Sequence, residues 1–291
     1  MPRLFRPGFA IALCALFASA QDFSKISIEI VGKNFVFTEG PAWSKDGVLI
    51  FSDTAADKLW KWAPGSEAVS FREPSNGATG NAFDSQGRLY TCESHARRVT
   101  RTNLKDGRVE VLADQFEGKK LNAPCGVAVS KSDHVYFTDP AFGNQQDHRE
   151  LDFYGVYHVP PKGPLKLVAK STGRPHGVAI SPNGRVLYVT NADERNVRAY
   201  DLDHNGDASG ERVLVAHIDG IPGGLAADEK GELYVATTKG IEMYSAEGKP
   251  IHTISLHDRP SNCAFDPQGV WLYVTAREFL YRIRMDGKGG H

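Results

Sequence analysis

The sequence predicts an all-β protein, a six-bladed β-propeller built from four-stranded antiparallel blades. A short motif with Ala in its fourth position occurs six times, and its copies start 38 to 51 residues apart, a spacing typical of propeller blades. In addition, no stretch shows sustained helical periodicity. The copies begin at Glu39, Thr79, Cys125, His176, Gly223 and Ser261.

Each copy has the layout of two neighbouring strands. In the first copy, an apolar segment over residues 40–43 leads through a turn at Asp46 and Gly47 to a second apolar run over residues 48–51. Such short β-branched and aromatic runs between turn residues are typical of buried strands. Shorter runs with alternating polarity follow, for example residues 59–62, and they predict the outer strands of a blade.

The two ends of the repeat array predict how the ring closes. Residues 26–31 form a strand-like run before the first copy, and the last copy ends near residues 280–285. An N-terminal strand that completes the sixth blade would close the ring and cover an open sheet edge. Residues 21–291 are therefore expected to form one propeller domain. The longest interval, between Cys125 and His176, predicts a loop that could act as a lid.

Composition limits the classes of partner. The chain has 291 residues, is 41% hydrophobic and 24% charged, and carries a formal net charge of −1. This balance suits a globular protein and lacks the basic surface of nucleic-acid-binding proteins. The expected partner is a small molecule, and the sequence leaves the oligomeric state open.

The first 20 residues have the pattern of a secretory signal peptide. Arg3 and Arg6 precede an apolar run over residues 9–17, and a small-x-small cleavage site follows at residues 18–20. The run is too short for a membrane span, which needs about 18 apolar residues. We therefore expect a mature chain that starts near Gln21, without a membrane anchor, in the periplasm or outside the cell.

The propeller topology predicts a cup at one end of the axis. The first residues of the six copies form a ring there, because innermost strands surround the axis. The second strands run back, so the residues at their ends return to the same face, and His95 lies just beyond one of them. These end residues are Asp53, Glu93, Asp139, Asn191, Thr237 and Ala276.

Several short motifs together resemble the senescence marker protein/gluconolactonase/luciferin-regenerating enzyme family, and the resemblance covers essentially the whole mature chain. The resemblance implies a six-bladed propeller that hydrolyses sugar lactones or related esters, with a divalent metal, commonly calcium, on the axis. The motifs are residues 38–43, 51–53, 87–89, 92–93, 98–101, 121–124, 137–140 and 155–157.

The chain departs from the family pattern at the implied metal ligands. Glu39 matches the metal-binding Glu, whereas the other three positions hold Cys125, His176 and Gly223. Calcium prefers six to eight oxygen ligands, so this set suits zinc or another transition metal better than calcium. We therefore predict that Glu39, Cys125 and His176 hold a metal that activates water to open a lactone or ester.

Two other interpretations stay open. In the first, no metal is needed: Cys125 is the nucleophile, His176 is its base, and Asp139 or Glu39 orients the imidazole. In the second, the protein is a non-catalytic propeller that binds a small molecule. Under each interpretation the predicted contacts to the substrate come from Asp53, Glu93, His95 and Asn191.

Overall fold

Six antiparallel sheets surround a central axis in the computed structural model, which describes residue 23 and residues 26–286. The predicted six-bladed propeller is confirmed. The predicted signal peptide lies outside the described residues. From the axis outward, the strands are Thr38–Trp43, Leu49–Asp53, Lys58–Trp62 and Val69–Arg72 in blade 1; Ala78–Phe83, Leu89–Glu93, Arg98–Thr102 and Val109–Ala113 in blade 2; Val127–Val129, Val135–Asp139, Tyr154–Val159 and Lys166–Ser171 in blade 3; Pro175–Ile180, Val186–Asn191, Asn196–Leu202 and Ala208–Val215 in blade 4; Pro222–Ala227, Leu233–Thr237, Gly240–Tyr244 and Pro250–Ile254 in blade 5; and Asn262–Phe265, Trp271–Ala276, Phe279–Arg284 and Ile28–Gly32 in blade 6.

The N-terminal strand closes the ring, as predicted. Ile28–Gly32 pairs antiparallel with Phe279–Arg284, so the outermost strand of blade 6 comes from the beginning of the chain. Glu29 lies opposite Arg282 in this register, and their side chains form an ion pair at 2.6 Å. The closure joins the two ends of the repeat array and leaves no gap between the first and last blades.

The hydrophobic core is divided among the contacts between neighbouring blades. The described residues form six buried apolar clusters, and each cluster joins two adjacent blades. The second strand of a blade is covered on both faces, and all five residues of Leu49–Asp53 and of Val135–Asp139 are buried. This explains why the second strands appear in the sequence as continuous apolar runs instead of alternating ones.

Close approach of neighbouring inner strands explains the Gly that follows the first residue of most repeat copies. A Cβ atom at Gly40 would lie 2.1 Å from the carbonyl oxygen of Thr79, and one at Gly80 would lie 2.4 Å from that of Cys125. Contacts this short are not tolerated, so a side chain here would push the blades apart. The repeated Gly therefore sets the small diameter of the axial ring.

Two additional short elements accompany blade 3. Gln115–Phe116 pairs with Lys119–Lys120 in a small hairpin before the innermost strand, and Gly143–His148 forms a 3₁₀ helix after the second strand. The helix follows Asp139, and so it lies on the face of the propeller that carries the ring. Among the described residues, no helix is long and apolar enough to cross a membrane.

Candidate active site

The backbone of the axial ring is fixed by hydrogen bonds that run from one blade to the next. Gly80 N–H donates to the carbonyl oxygen of Cys125 at 2.7 Å. The hydroxyl of Thr138 donates to the carbonyl oxygen of His176 at 2.6 Å, and that of Thr190 reaches Gly223 in the same way at 2.6 Å. These bonds use the main-chain carbonyls and fix the positions from which the ring side chains extend.

Glu39 is a buried carboxyl group with one oxygen available. Its Oε2 accepts hydrogen bonds from the N–H of Gly40 at 3.1 Å and from Nδ2 of Asn262 at 3.3 Å. Its Oε1 has no hydrogen-bond partner among the described residues. Burial raises the pKa of Glu39 to about 7, against the smaller lowering effect of the two hydrogen bonds. The group can therefore gain or lose a proton near neutral pH.

Cys125 and His176 meet at the ring but form only a long contact. The Sγ atom lies 4.0 Å from Nδ1 and 3.9 Å from Nε2 of the imidazole. Burial, followed by the charges of Glu39 and Asp139, raises the pKa of the Cys125 thiol well above its usual range. Burial, with a smaller effect of Arg174, lowers the pKa of His176 to about 4. A neutral thiol therefore faces a neutral imidazole, whereas reactive cysteines have a lowered pKa.

Asp53 and Asp139 hold the segments that lead into the ring. The carboxylate of Asp139 accepts the N–H groups of Asn122 and Ala123, both at 2.8 Å. Asp53 accepts the N–H groups that precede Glu39, from Val36 at 3.0 Å and Phe37 at 2.9 Å. The structure thus places the predicted catalytic Asp139 and the predicted substrate contact Asp53 where each carboxylate satisfies at least two backbone donors.

The other three predicted substrate contacts differ in how far they are already engaged. Glu93 is fully buried and forms ion pairs with Arg72 at 3.1 Å and Arg98 at 2.7 Å. Asn191 accepts two backbone N–H groups of the following turn and donates to a neighbouring hydroxyl. The side chain of His95 has no hydrogen bond among the described residues and lines a small cavity. His95 is thus the one member of this set that is free to bind a ligand.

Sequence reasoning missed three residues around the ring. Asn262 donates to Glu39, Phe142 packs against His176 with ring centroids 5.3 Å apart, and the Arg174 guanidinium lies 4.9 Å from the centre of the Phe142 ring. Only Asn262 had a signal, because it replaces the Gly found at that position in the other five copies. The other two contacts depend on the course of a loop, which the repeat does not specify.

The axial channel continues beyond the ring as a cavity of about 410 Å³. Its walls are formed by the residues that follow the ring positions, and they are mostly small or apolar. Asn81 and Asn262 supply its polar side chains, and neither Glu39 nor His176 lines it. The ionisable groups are therefore concentrated at the ring and not in the channel below it.

The chain is a six-bladed β-propeller with a buried carboxyl, a thiol and an imidazole at its axial ring. The SMP-30/Gluconolactonase/LRE-like region matches residues 37–278, and the chain belongs to this family. A gluconolactonase of Zymomonas mobilis is 31% identical, covering 88% of this chain and 81% of that protein. Regucalcin of Xenopus laevis is 25% identical, with 87% of each chain covered.

A solved structure leads to the same family. A gluconolactonase from Xanthomonas campestris superimposes with a TM-score of 0.83 at 28% identity, covering 89% of each chain. The similarity to these gluconolactonases supports the interpretation that this chain is a lactonase-like hydrolase. The resemblance predicted from the short motifs is thereby confirmed.

The ring does not form a ligand group for the divalent metal that the family resemblance implies. Among the residues that the structure describes, no three or more His, Cys, Asp and Glu side chains are gathered so that they could hold a metal ion. The ring offers one carboxylate where calcium needs six to eight oxygens, and Gly223 contributes no side chain. As placed, Glu39, Cys125 and His176 do not fit such a metal, and the chemistry below uses the chain's own side chains.

Proposed function

We propose that this protein is a lactonase-like hydrolase that opens a lactone or a related ester, with Glu39 as the general base. One observation carries the proposal: Glu39 is the carboxylate of the axial ring, and its Oε1 has no partner among the described residues. Asn262 and the Gly40 N–H hold the other oxygen, so the group is oriented without being fully used. General bases are recognised by such a position.

The reaction needs water and one proton acceptor. Glu39 would remove a proton from water as the oxygen attacks the carbonyl carbon of the substrate. The tetrahedral intermediate then expels the ring oxygen, which takes up the proton held by Glu39, and the product is a hydroxy acid. Positioned general bases typically contribute 10²- to 10⁴-fold to the rate. His176 is neutral near pH 7 and can donate one N–H to the oxygen that becomes negative.

The substrate class comes from the relatives. The similar proteins from Zymomonas mobilis and Xanthomonas campestris are gluconolactonases. On this basis the proposed substrate of this chain is a small sugar lactone. The pattern of residues 1–20 supports a secreted or periplasmic location, with the propeller over residues 21–291 as the mature domain. An extracellular sugar acid lactone would be available there.

Proton release from a panel of aldonolactones tests the function. We expect turnover by wild-type protein and a loss of at least about 100-fold in kcat/KM for Glu39→Gln. The matched control is Glu229→Gln, an exposed carboxyl with no role in the ring. Binding of lactones without turnover would overturn the proposal and support the non-catalytic propeller instead.

The same protein tests the metal prediction. Zinc or another transition metal at Glu39, Cys125 and His176 would appear in elemental analysis of protein purified without a metal-affinity tag. About one equivalent of metal, lost in Cys125→Ser together with activity, would replace the general-base mechanism by a metal-activated water. Activity that survives chelation unchanged would support Glu39 acting alone.

A further inference from the structure

The residues two positions before the ring residues surround the opening of the ring on its own face of the propeller. Two of them, Phe37 and Ile221, are large apolar side chains that are 40% and 46% exposed. Single exposed apolar residues are common on protein surfaces, so it is their placement beside the ring that gives these two a meaning. The six positions hold Phe37, Gly77, Ala123, Arg174, Ile221 and Arg259.

The main chain holds three of these residues in the same way. Phe37, Arg174 and Ile221 each donate their N–H to a side chain at the end of the second strand of their own blade or just after it, at 2.9, 2.8 and 3.0 Å. Their carbonyl oxygens accept a backbone N–H from the turn that follows this strand, at 3.0, 2.9 and 3.2 Å. The three side chains therefore extend from equivalent positions in blades 1, 4 and 5.

Arg174 shows where this position directs a side chain. Its guanidinium lies 4.9 Å from the centre of the Phe142 ring, and the centroids of Phe142 and of the His176 imidazole are 5.3 Å apart. The side chain at this position thus lies at the opening, in contact with a residue that packs on the ring itself. By the same backbone geometry, Phe37 lies at the opening beside Glu39, and Ile221 lies there beside Gly223.

Phe37, Phe142 and Ile221 together form an apolar rim of the opening. They follow or precede strands of blades 1, 3 and 5, which alternate around the axis, so the rim is distributed over three sides. A substrate that enters from this face and brings its carbonyl to Glu39 has its remaining atoms beside the rim.

The other residues at these positions change this character little. Gly77 and Ala123 are small and buried, and the charge of Arg174 is paired with Asp193, with 2.9 Å between Nε and Oδ2. Arg259 is exposed and brings a positive charge to the side of blade 6 alone. The opening is therefore mainly apolar, above a ring that is polar.

We propose that the apolar rim binds an apolar substituent of the substrate, so that the preferred lactone carries an alkyl or aryl group beside its lactone ring. The proposal rests on the proposed lactonase function, and it narrows the substrate from small sugar lactones in general to lactones that also carry such a group. Removing apolar surface from water is favourable in proportion to its area. The rim thus sets specificity and takes no part in the bond-breaking step.

Two substrates and two variants test this assignment. γ-Nonalactone and γ-valerolactone share one lactone ring and carry a pentyl and a methyl group on it. We expect wild-type kcat/KM to be about tenfold higher for γ-nonalactone. Phe37→Ser and Ile221→Ser should each lower this ratio by about 3- to 10-fold, because less apolar surface then covers the pentyl group.

Ile251→Ser is the matched control. Ile251 is 39% exposed and lies on the outermost strand of blade 5, the blade that carries Ile221 at the axis. The control should leave the ratio unchanged. Circular dichroism verifies that all three variants are folded, which their exposure in the wild-type protein favours.

A wild-type ratio near one, or a ratio that neither rim variant lowers, would overturn the proposal. Turnover of aldonolactones without turnover of γ-nonalactone would overturn it as well. If wild-type protein opens no lactone of either kind, the proposed function fails, and calorimetric titration with the intact γ-nonalactone tests the rim separately. Binding that weakens about 3- to 10-fold in Ile221→Ser and not in Ile251→Ser would support the rim. Absent binding, or equal binding to both variants, would reject it.

Discussion

Glu39 and Asp139 are two buried carboxyl groups at the ring face, and burial raises the pKa of each to about 7. Their partners differ. Asp139 has both oxygens occupied by backbone N–H groups at 2.8 Å, whereas Glu39 uses one oxygen at 3.1 and 3.3 Å and leaves the other available. A raised pKa alone therefore does not distinguish a chemical role from an architectural one. The feature that distinguishes Glu39 from Asp139 is the carboxyl oxygen at the axis that has no hydrogen-bond partner among the described residues.

The difference follows from the position of each residue on its blade. Asp139 ends a second strand, beside the loop that enters the innermost strand of its blade, and so it meets two backbone donors. Glu39 lies near the start of an innermost strand, where the main chain pairs with Ser52 of the same blade and the side chain is left to the axis. Asp53 and Glu242, in other blades, each accept at least two backbone N–H groups, which makes this arrangement a recurrent feature.

The largest expected effect separates the two carboxyl groups by activity. Glu39→Gln should lower kcat/KM for a sugar lactone by about 10³-fold, or about 4 kcal/mol, because it removes the base and keeps the shape. Asp139→Asn should stay within about tenfold of wild type when assayed at a temperature at which it is folded. Steady-state kinetics on both variants, with circular dichroism to verify folding, measures the difference. Equal losses of kcat/KM in the two variants would contradict the distinction between the two carboxyl groups.

The second effect separates them by stability. Asp139→Asn should lower the free energy of unfolding by about 2 to 3 kcal/mol, because an NH₂ group then faces a backbone N–H that loses its acceptor. Asp53→Asn should behave alike, and Asp46→Asn, an exposed residue without a side-chain hydrogen bond, should not. Urea unfolding at pH 7 measures all three. A stable Asp139→Asn protein would contradict the architectural role.

The third effect concerns pH. Glu39 acts as a base only when ionised, so kcat/KM should fall about tenfold per pH unit below pH 7 and level off above it. Because burial raises the folded-state pKa above its ordinary value of 4.5, the favourable contribution of the protonated group is lost as pH rises through about 7. The free energy of unfolding should therefore decrease as the pH rises from about 4.5 to about 7. This decrease should be smaller in Glu39→Gln.

The pH profile also discriminates between the carboxyl groups. Asp139→Asn should retain the inflection in kcat/KM near pH 7, since its carboxyl is not the base. If the inflection disappears in Asp139→Asn, the group whose ionisation controls kcat/KM is Asp139 and not Glu39.

The smallest effect concerns Cys125. Since its thiol is buried and its pKa is raised, Cys125→Ser should change kcat/KM by less than about threefold, under 1 kcal/mol. Iodoacetamide should label Cys125 as slowly as Cys263, whose pKa burial raises to about 12. Mass spectrometry of the labelled protein measures both rates. Rapid labelling of Cys125 together with loss of turnover would favour the covalent Cys/His mechanism.

Much of the fold could be read from the repeat. Its six copies, the Gly after the first residue and the apolar second runs each reflect a contact that every blade must make, so the sequence repeats them. The N-terminal closing strand was predictable because a propeller without it would expose a sheet edge. The 3₁₀ helix Gly143–His148 and its contacts were not, since a loop that occurs once has no second copy to compare.

The sequence by itself determined the blades, their number, the closing strand and the set of residues on the ring. Only the tertiary structure decided which of those residues are already engaged. Asp53, Asp139, Glu93 and Asn191 are bound to their own backbone or to ion-pair partners, whereas Glu39, His95 and Asn122 have atoms to spare. The reason is physical: periodicity fixes where a side chain starts, but its hydrogen bonds depend on loops that the repeat does not encode.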